Sequence, residues 1–597
     1  MRRSHTKARL SMKKKRYEFS GPRCYLQLAD HRASAKEDGQ QLPHIKSFEY
    51  NFPHASKRGV QLIVPQLQEE SFAILRAPTG SGKTDAALLW AQHQIDSGKA
   101  DRLVIAMPTR FTANALSINA AEHLSQIGPY HSSAWFKRIQ KTEDDSTTQK
   151  SFINKEQQLA RLLETPITVT TIDHLCISLT GTREDHHTIF FNLAHSCVVI
   201  DEADFYDEFT QHNILILLRT LRLLKVPILL MSATVPNSSR EFFNQSGFTV
   251  PQIYEDSTNS DRVRYNIENH KRAVVVPDDC KDLLELARNA PLIIYANTVA
   301  RAQSFYRWFM KREEYNGVGN VTLYHSRFTE AHKANIEKAL SDNLGAMAWH
   351  TGTPKGIAIL TQIGELSVNI SADVMITDVC PLDRLVQRAG RLSRFGNSIG
   401  RLYVIEPFKI NKDGEAVFYP APYGTFEDRR WKMSEPLTQS IKLLSSGTYS
   451  SGDLVALVDQ LYPSHSLSPE DSVLSNAIEL ERLIISNWLI LPANKLDEND
   501  DETATWRSRN IEPQYTVYVD FDVIESNFYF KNFGALREFQ LIYGVQCYAH
   551  EFHQAREKGY IEQMTFMIGE ESEVILWLAR SSFYDSKIGL HFDKVGD

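Results

Sequence analysis

The chain reads as an α/β protein: two parallel-sheet domains in series, followed by a mixed α/β accessory domain. Three observations predict this. Short apolar runs of strand length alternate with helical stretches from about 58 to 245 and again from about 290 to 408, the pattern of a parallel sheet covered by helices. At 597 residues the chain is too long for one core. From about 409 the alternation stops and aromatics become dense, with Tyr515, Tyr518, Phe521, Phe528, Tyr529 and Phe530 close together. The expected division is 1–57, 58–245, 246–408 and 409–597.

The first segment is polar and basic: Arg2, Arg3, Lys7, Arg9, Lys13, Lys14, Lys15 and Arg16 precede the first acid, Glu18. No apolar stretch of signal-peptide type follows, so a solvated arm is expected, with a nucleic-acid-touching arm as the alternative. Strands are expected at Phe72–Leu75, Leu103–Ala106, Ile167–Thr170, Val198–Ile200 and Ile228–Met231, and an exposed insertion at Lys141–Lys150. The stretch Ile214–Met231 carries Arg219, Arg222 and Lys225, which makes it an amphipathic helix followed by a strand rather than a membrane span. The second domain repeats the pattern at Pro291–Ala296, Val321–Tyr324, Ile357–Thr361, Val374–Thr377 and Arg401–Ile405, and an acidic loop at Asp497–Glu502 marks the last part.

Composition is that of an ordinary globular protein, 42% apolar and 23% charged. A net charge of −7 excludes a global basic field, so any nucleic-acid contact must come from a local groove. The six cysteines contain no Cys-x-x-Cys pair, which excludes a zinc knuckle or a disulfide scaffold and fits a reducing cytoplasm.

Chemistry concentrates at Ala77-Pro78-Thr79-Gly80-Ser81-Gly82-Lys83-Thr84, between an apolar run and a helical stretch. Glycines there let the backbone curl so that its N–H groups face phosphates, and the helix N-terminus adds partial positive charge. Lys83 is placed to reach the β- and γ-phosphates, and the Thr84 hydroxyl to hold Mg²⁺. Ala77 stands where the full pattern has glycine. Hydrolysis also needs a metal-holding carboxylate and a group to orient water. Val198-Val199-Ile200 delivers Asp201-Glu202-Ala203-Asp204 to the C-terminal edge of the sheet, where ligands bind. Asp201 is assigned to Mg²⁺ and Glu202 to the water, with helix capping as the bland alternative. Ser232 and Thr234, one strand later, are placed to relay nucleotide state to Asp201–Asp204. In the second domain Arg388, Arg391 and Arg394 recur every three residues in Gln387-Arg388-Ala389-Gly390-Arg391-Leu392-Ser393-Arg394, which predicts one helical face. Arg391 and Arg394 are assigned to the γ-phosphate as arginine fingers; Arg388 and Gln387 are left to coupling, Arg388 as an interdomain salt bridge.

The ordered set, Gln61, the loop at Lys83, Pro108-Thr109-Arg110, Thr171-Ile172-Asp173, Asp201–Asp204, Ser232–Thr234, Thr361-Gln362 and Gln387–Arg394, resembles the superfamily 2 helicases. That resemblance implies two RecA-like domains with ATP between them, and Gln61 as the residue that reads adenine. Thr171-Ile172-Asp173-His174-Leu175, Tyr324-His325-Ser326-Arg327-Phe328, Thr361-Gln362-Ile363-Gly364-Glu365-Leu366-Ser367 and the Gln387 segment resemble, more narrowly, the helicases of type I CRISPR effectors over about residues 24–410. The narrower resemblance implies an ATP-driven translocase on single-stranded DNA, acting after a guide-RNA complex has opened an R-loop in a prokaryotic cytoplasm. Candidate DNA contacts are Pro108, Thr109, Arg110, Thr171, Asn297, Thr298, His325 and Arg327, strand-end groups that read backbone rather than base.

Three departures stand out. Asp204 replaces the histidine that family members more often carry, and Asn369 replaces an aspartate. Family members often carry an HD-type nuclease, yet no His-Asp dipeptide occurs here. Tyr25–Ser34 resembles the end of that nuclease, with Asp30 as its last ligand, so a helicase-only chain is expected, its nuclease lost, truncated or on another subunit. Two other functions remain open: an RNA helicase, suggested by the literal Asp-Glu-Ala-Asp, and a helicase-fold adaptor without turnover.

Overall fold

Each apolar run read as a strand forms one, in a computed structural model that describes residues 2–37, 39, 47–108, 127–129, 158–183, 185–202, 207–250, 252–258, 260–316, 321–366, 368–396, 398–427, 430–464, 470–486, 506–510, 513–519, 529–569 and 572–592. The chain divides into two compact units: residues 1–258 with 462–510, and 259–461 with 511–597.

The first unit holds a seven-stranded sheet of β1 (Phe72–Arg76), β2 (Arg102–Met107), β3 (Ile127–Pro129), β4 (Ile167–Thr171), β5 (Ser196–Asp201), β6 (Ile228–Ser232) and β7 (Ile253–Glu255). Their order is β3-β4-β2-β5-β6-β1-β7, all parallel. The central strands are continuous apolar runs because helices cover both faces. One face packs Phe72, Val198, Ile200 and Leu230 against Leu217 and Leu221 of the helix Glu208–Leu223; the other packs Leu75, Ile105 and Val199 against Leu88 and Trp90 of the helix Lys83–Asp96. The Ile214–Met231 stretch is, as expected, a helix and then a strand. No helix among the described residues is long and apolar enough to cross a membrane.

The second unit holds β8 (Val263–Val274), β9 (Leu292–Tyr295), β10 (Val321–Tyr324), β11 (Ile357–Leu360), β12 (Val374–Asp378) and β13 (Gly400–Ile410), with β14 (Ala416–Phe418) folded back on β13 and a separate hairpin of β15 (Gly424–Glu427) and β16 (Arg430–Met433). β17 (Gly447–Ser450) closes the sheet, in the order β10-β11-β9-β12-β13-β8-β17. A third sheet, β19-β21-β22-β18-β20, is built from β18 (Gln514–Tyr518), β19 (Tyr529–Phe530), β20 (Gly544–Tyr548), β21 (Ile561–Ile568) and β22 (Ser572–Ala579). Helices Phe533–Tyr543 and Ala549–Glu557 cover its two faces through Leu536 and Phe539, and through Phe552 and Ala555.

The structure corrects three expectations. Residues 1–57 are not simply a solvated arm: Arg2–Glu37 is one helix. Its Lys13 reaches Thr220 and Glu481, and its fully buried Arg16 donates to the Leu179 and Ile484 carbonyls. Burial lowers the Arg16 pKa to about 9. The boundary expected at 245 lies further on, because β7 still belongs to the first sheet. Residues 409–597 are not one body: β17 pairs with β8, the helix Asp471–Ser486 buries Ala477, Leu480 and Ile484 in the first unit's core, and the third sheet stands apart. The predicted insertion at 141–150 and the acidic loop at 497–502 lie outside the described residues, as do Phe521 and Phe528.

Candidate nucleotide and nucleic-acid site

Strand register sets the site. β6 lies between β1 and β5, with Arg76 level with Ser232 and Asp201 level with Met231. The loop leaving β1 and the carboxylates leaving β5 therefore emerge at the same edge. Arg76 anchors the loop's entry by donating to the Val235 carbonyl at 3.2 Å and pairing with Glu255 at 3.1 Å. Ala77 N–H donates to the Ser232 carbonyl at 3.0 Å, so Ser232 holds the loop through its backbone.

The loop turns on two glycines, Gly80 at φ 84° and Gly82 at φ 97°, both in the left-handed region that favours glycine. Gly82 is held on its other side too, since a β-carbon there would meet Gln61 Nε2 at 2.3 Å. Gln61 is buried beneath the loop; its Nε2 donates to the Gly82 carbonyl at 3.2 Å and its Oε1 accepts from Arg58 N–H at 2.6 Å. Each end of the amide keeps one further bonding position. Arg58, which the sequence reading did not single out, donates to the Gly80 carbonyl at 3.1 Å.

Lys83 opens the helix and is 8% exposed. Its Nζ lies 3.2 Å from the Ala77 carbonyl and 3.4 Å from Glu202 Oε1. Asp201 is equally buried at the end of β5, and its Oδ1 accepts from Glu202 N–H at 3.0 Å. Glu202 sits at φ 49°, a conformation that costs a non-glycine residue roughly 1–3 kcal/mol and gathers at functional sites. The structure thus brings Lys83, Asp201 and Glu202 together, with Thr84 next to Lys83 at the helix start.

The loop also fits a nucleotide by what it leaves unmet. Ser81 Oγ and Thr234 Oγ1 are buried hydroxyls with no partner within the described residues. Buried polar groups are normally satisfied, so these two suit a polar ligand. Thr234 N–H in turn donates to Ser232 Oγ at 3.1 Å. Among the described residues no three His, Cys, Asp or Glu side chains cluster for a metal. Thr84 and Asp201 supply hard oxygen donors of the kind Mg²⁺ takes when phosphates and water complete its shell.

Several expected nucleic-acid contacts are engaged otherwise. Asn297 is buried: its N–H donates to Asp378, its side-chain N–H to the Val379 carbonyl, and its side-chain oxygen accepts from Arg388. Thr298 caps the helix Val299–Met310 by accepting from Arg301 N–H. His325 is fully buried, bonded to the Ile588 carbonyl at 2.9 Å and stacked on Phe328; burial, then Arg327, lowers its pKa to about 3. Arg327 is paired with Glu551. These four therefore serve packing and capping. In the first unit Pro108 offers its carbonyl to Arg509, and Thr171 occupies the cap of the helix Ile172–Leu179 without a side-chain cap bond. Thr109, Arg110 and Asp204 lie outside the described residues.

The arginine triplet also differs from expectation. The helix Leu382–Ala389 ends before Arg391, and Ser393 turns the chain at φ 46°, so the three guanidiniums share no helical face. Arg388, expected as an interdomain salt bridge, is engaged within its own unit. It is fully buried in its own unit against Glu365 (2.8 Å), Thr377 (2.7 Å), the Asp378 carbonyl (3.0 Å), Asn297 (3.1 Å) and Tyr423 (3.1 Å). Gln387 is buried on the same helix. The Arg391 guanidinium donates to the Glu365 carbonyl at 2.5 Å, and its Nε and Nη1 are buried without a partner among the described residues. Arg394 is half-buried, with its N–H on Ser371 Oγ and its guanidinium beside Phe395.

Both parallel sheets resemble known proteins. Residues 59–242 match the DEAD/DEAH box helicase family, and residues 288–397 match the C-terminal family of the CRISPR-associated nuclease/helicase Cas3. The CRISPR-associated nuclease/helicase Cas3 of Streptococcus thermophilus is 26% identical over 68% of this chain and 47% of its own. The CRISPR-associated endonuclease/helicase Cas3 of Escherichia coli is 26% identical over 56% of this chain and 42% of its own. The chain thus spans about half the length of the curated relatives it matches. In fold, the crystal structure of T. fusca Cas3 with AMPPNP aligns at a TM-score of 0.63 and 20% identity, covering 90% of this chain and 70% of the other. That neighbour places the two sheets as tandem RecA-like domains followed by a C-terminal domain. The two family matches fall on successive parallel sheets and, with the Cas3 relatives, support a CRISPR-associated helicase of superfamily 2.

Proposed function

We propose that the chain is an ATP-driven translocase on single-stranded DNA, serving type I CRISPR interference by unwinding target DNA after R-loop formation. The observation that carries this is the ion pair of buried Lys83 with Glu202 beside Asp201, at the mouth of a loop that turns on glycines. Backbone N–H groups of Thr79, Gly80, Ser81 and Gly82 hold the phosphates, and Gln61 meets the adenine edge. Lys83 leaves Glu202 for the β- and γ-phosphates, which frees that carboxylate to orient a water and accept its proton. Thr84 and Asp201 would hold Mg²⁺, which would supply neutralisation of phosphate charge. Arg391, with two N–H groups unmet, and Arg394 act on the γ-phosphate. Ser232 and Thr234 pass the state of the loop to β5, and Gln387 completes the coupling. Pro108, Thr109, Arg110 and Thr171 form the strand-end track for the DNA backbone.

We place the chain with a guide-RNA effector complex, and with its nuclease partner on a separate subunit. One neighbour in fold is a CRISPR RNA-guided surveillance complex in a pre-nicking state, with a TM-score of 0.57. ATP turnover with single-stranded DNA, RNA or neither tests the reading. Stimulation of at least about tenfold by DNA and little by RNA is expected. Stimulation by RNA alone would favour the RNA-helicase reading, and no turnover with saturating DNA would favour the adaptor.

A further inference from the structure

The track expected on the first sheet has a support supplied from far along the sequence. Arg509 forms a forked ion pair with Asp173: Nε donates to Oδ1 and Oδ2 at 2.8 and 2.9 Å, and Nη2 to Oδ2 at 2.5 Å. The same Nη2 donates to the Pro108 carbonyl. Pro108 directly follows β2, and Asp173 lies two residues beyond the end of β4. Those strands are neighbours, with Met107 level with Thr171. One guanidinium therefore ties the exits of two adjacent strands, and these exits carry Pro108 and Thr171.

The short strip bearing Arg509 is itself fixed. Two buried asparagines, Asn213 and Asn476, bond each other at 3.1 Å. Asn213 donates to the Arg507 and Ser508 carbonyls, Asn476 brackets Arg507 through its N–H and carbonyl, and Trp506 Nε1 donates to Asn213. Buried amides bonded to the backbone of so few residues hold the strip in one place. Ion pairs at surfaces contribute little to stability, and this one is about a quarter exposed on each side. Its fork, however, fixes angles as well as distance. Because Asp173 neutralises it, Arg509 adds little net charge to the groove; what it supplies is geometry.

We propose that Arg509 is a positioning residue for the nucleic-acid track: it holds the exits of β2 and β4 at the spacing that grips a DNA backbone, so that residues 506–510 complete the first unit's DNA site. The inference rests on the proposed function. Its test uses the full chain and an oligothymidylate titration of ATP turnover. Arg509→Ala is expected to raise the DNA concentration for half-maximal stimulation about tenfold, while the plateau rate falls less than about twofold. Arg509→Lys recovers only part of the affinity, because an ammonium cannot fork. Asp173→Asn moves half-saturation in the same direction and decides the matter if Arg509→Ala does not fold. An unchanged half-saturating concentration, or a loss of thermal stability and plateau with half-saturation unmoved, overturns the proposal. If the unaltered chain shows no response to DNA, the proposed function and this inference fall together; if it responds and the variants match it, the inference alone falls.

Discussion

Lys83 is buried 3.4 Å from the singly charged, partly buried Glu202 carboxylate, and a stronger counter-charge would draw it off. A triphosphate would supply one for the lysine. On this account Lys83→Ala and Glu202→Gln each lower ATP turnover by more than about a hundredfold. Glu202→Gln still binds a fluorescent ATP analogue, and Lys83→Ala binds it weakly. Normal turnover in either variant would remove the site assignment. Gly82 makes a second residue-scale prediction. Gly82→Ala places a methyl 2.3 Å from Gln61 Nε2 at φ 97°, so nucleotide affinity and melting temperature should both fall. Adding Gln61→Ala should relieve the clash and leave the backbone cost of about 1–2 kcal/mol, giving partial recovery by calorimetry. At this scale Lys83, Asp201 and Glu202 were legible in the sequence, because phosphate chemistry dictates both residue type and strand-end position. His325, Asn297 and Arg327 were not: hydroxyls, amides and cations at strand ends read alike whether they meet a ligand or a distant segment, such as the turn at Ile588 or the helix at Glu551.

Elements carry two further predictions. The helix Leu382–Ala389 is pinned by Arg388 and Glu365, both fully buried. Arg388→Met leaves the Glu365 carboxylate without a counter-ion and should cost about 3–5 kcal/mol in chemical unfolding. Replacing Glu365 by Leu as well should recover most of it, and no recovery would assign the loss to packing. Glu164, just before β4, has its pKa raised to about 7 by burial, partly opposed by Arg32 and Arg102. From about pH 4.5 to 7 the unfolded chain has lost this proton while the folded chain keeps it, so stability falls as pH rises and is flat above about 7. Glu164→Gln should therefore raise the melting temperature at pH 8, by the equivalent of roughly 3 kcal/mol, and match the unaltered chain near pH 4.5. Equal curves at both pH values would contradict the shift. Strands of the parallel sheets were legible because continuous burial leaves unbroken apolar runs. β7, β8 and β17 were missed since strands at or next to a sheet edge carry mixed residues, as β8 does with Glu268, His270 and Lys271. The basic N-terminus was misread for a similar reason: Lys13 and Arg16 look solvated in sequence, yet partners hundreds of residues away bury them.

For the whole molecule, what the sequence showed was order: a phosphate loop, acids one edge away, then arginines on a second sheet. What it hid was return. The chain passes back to the first unit at 462–510 and again to the second at 511–597, so the accessory region expected as one domain is divided between two bodies. No local pattern signals such a crossing, because Asn213, Asn476 and Arg509 become meaningful only once they meet. The division suits the proposed motor, with the phosphate loop in the first body and Arg391 and Arg394 in the second. Displacement of streptavidin from biotinylated single-stranded DNA tests that central claim most directly. The account predicts ATP-dependent displacement by the unaltered chain and none by Glu202→Gln. Displacement without ATP, equal displacement by Glu202→Gln, or none by a chain that turns over ATP would contradict it.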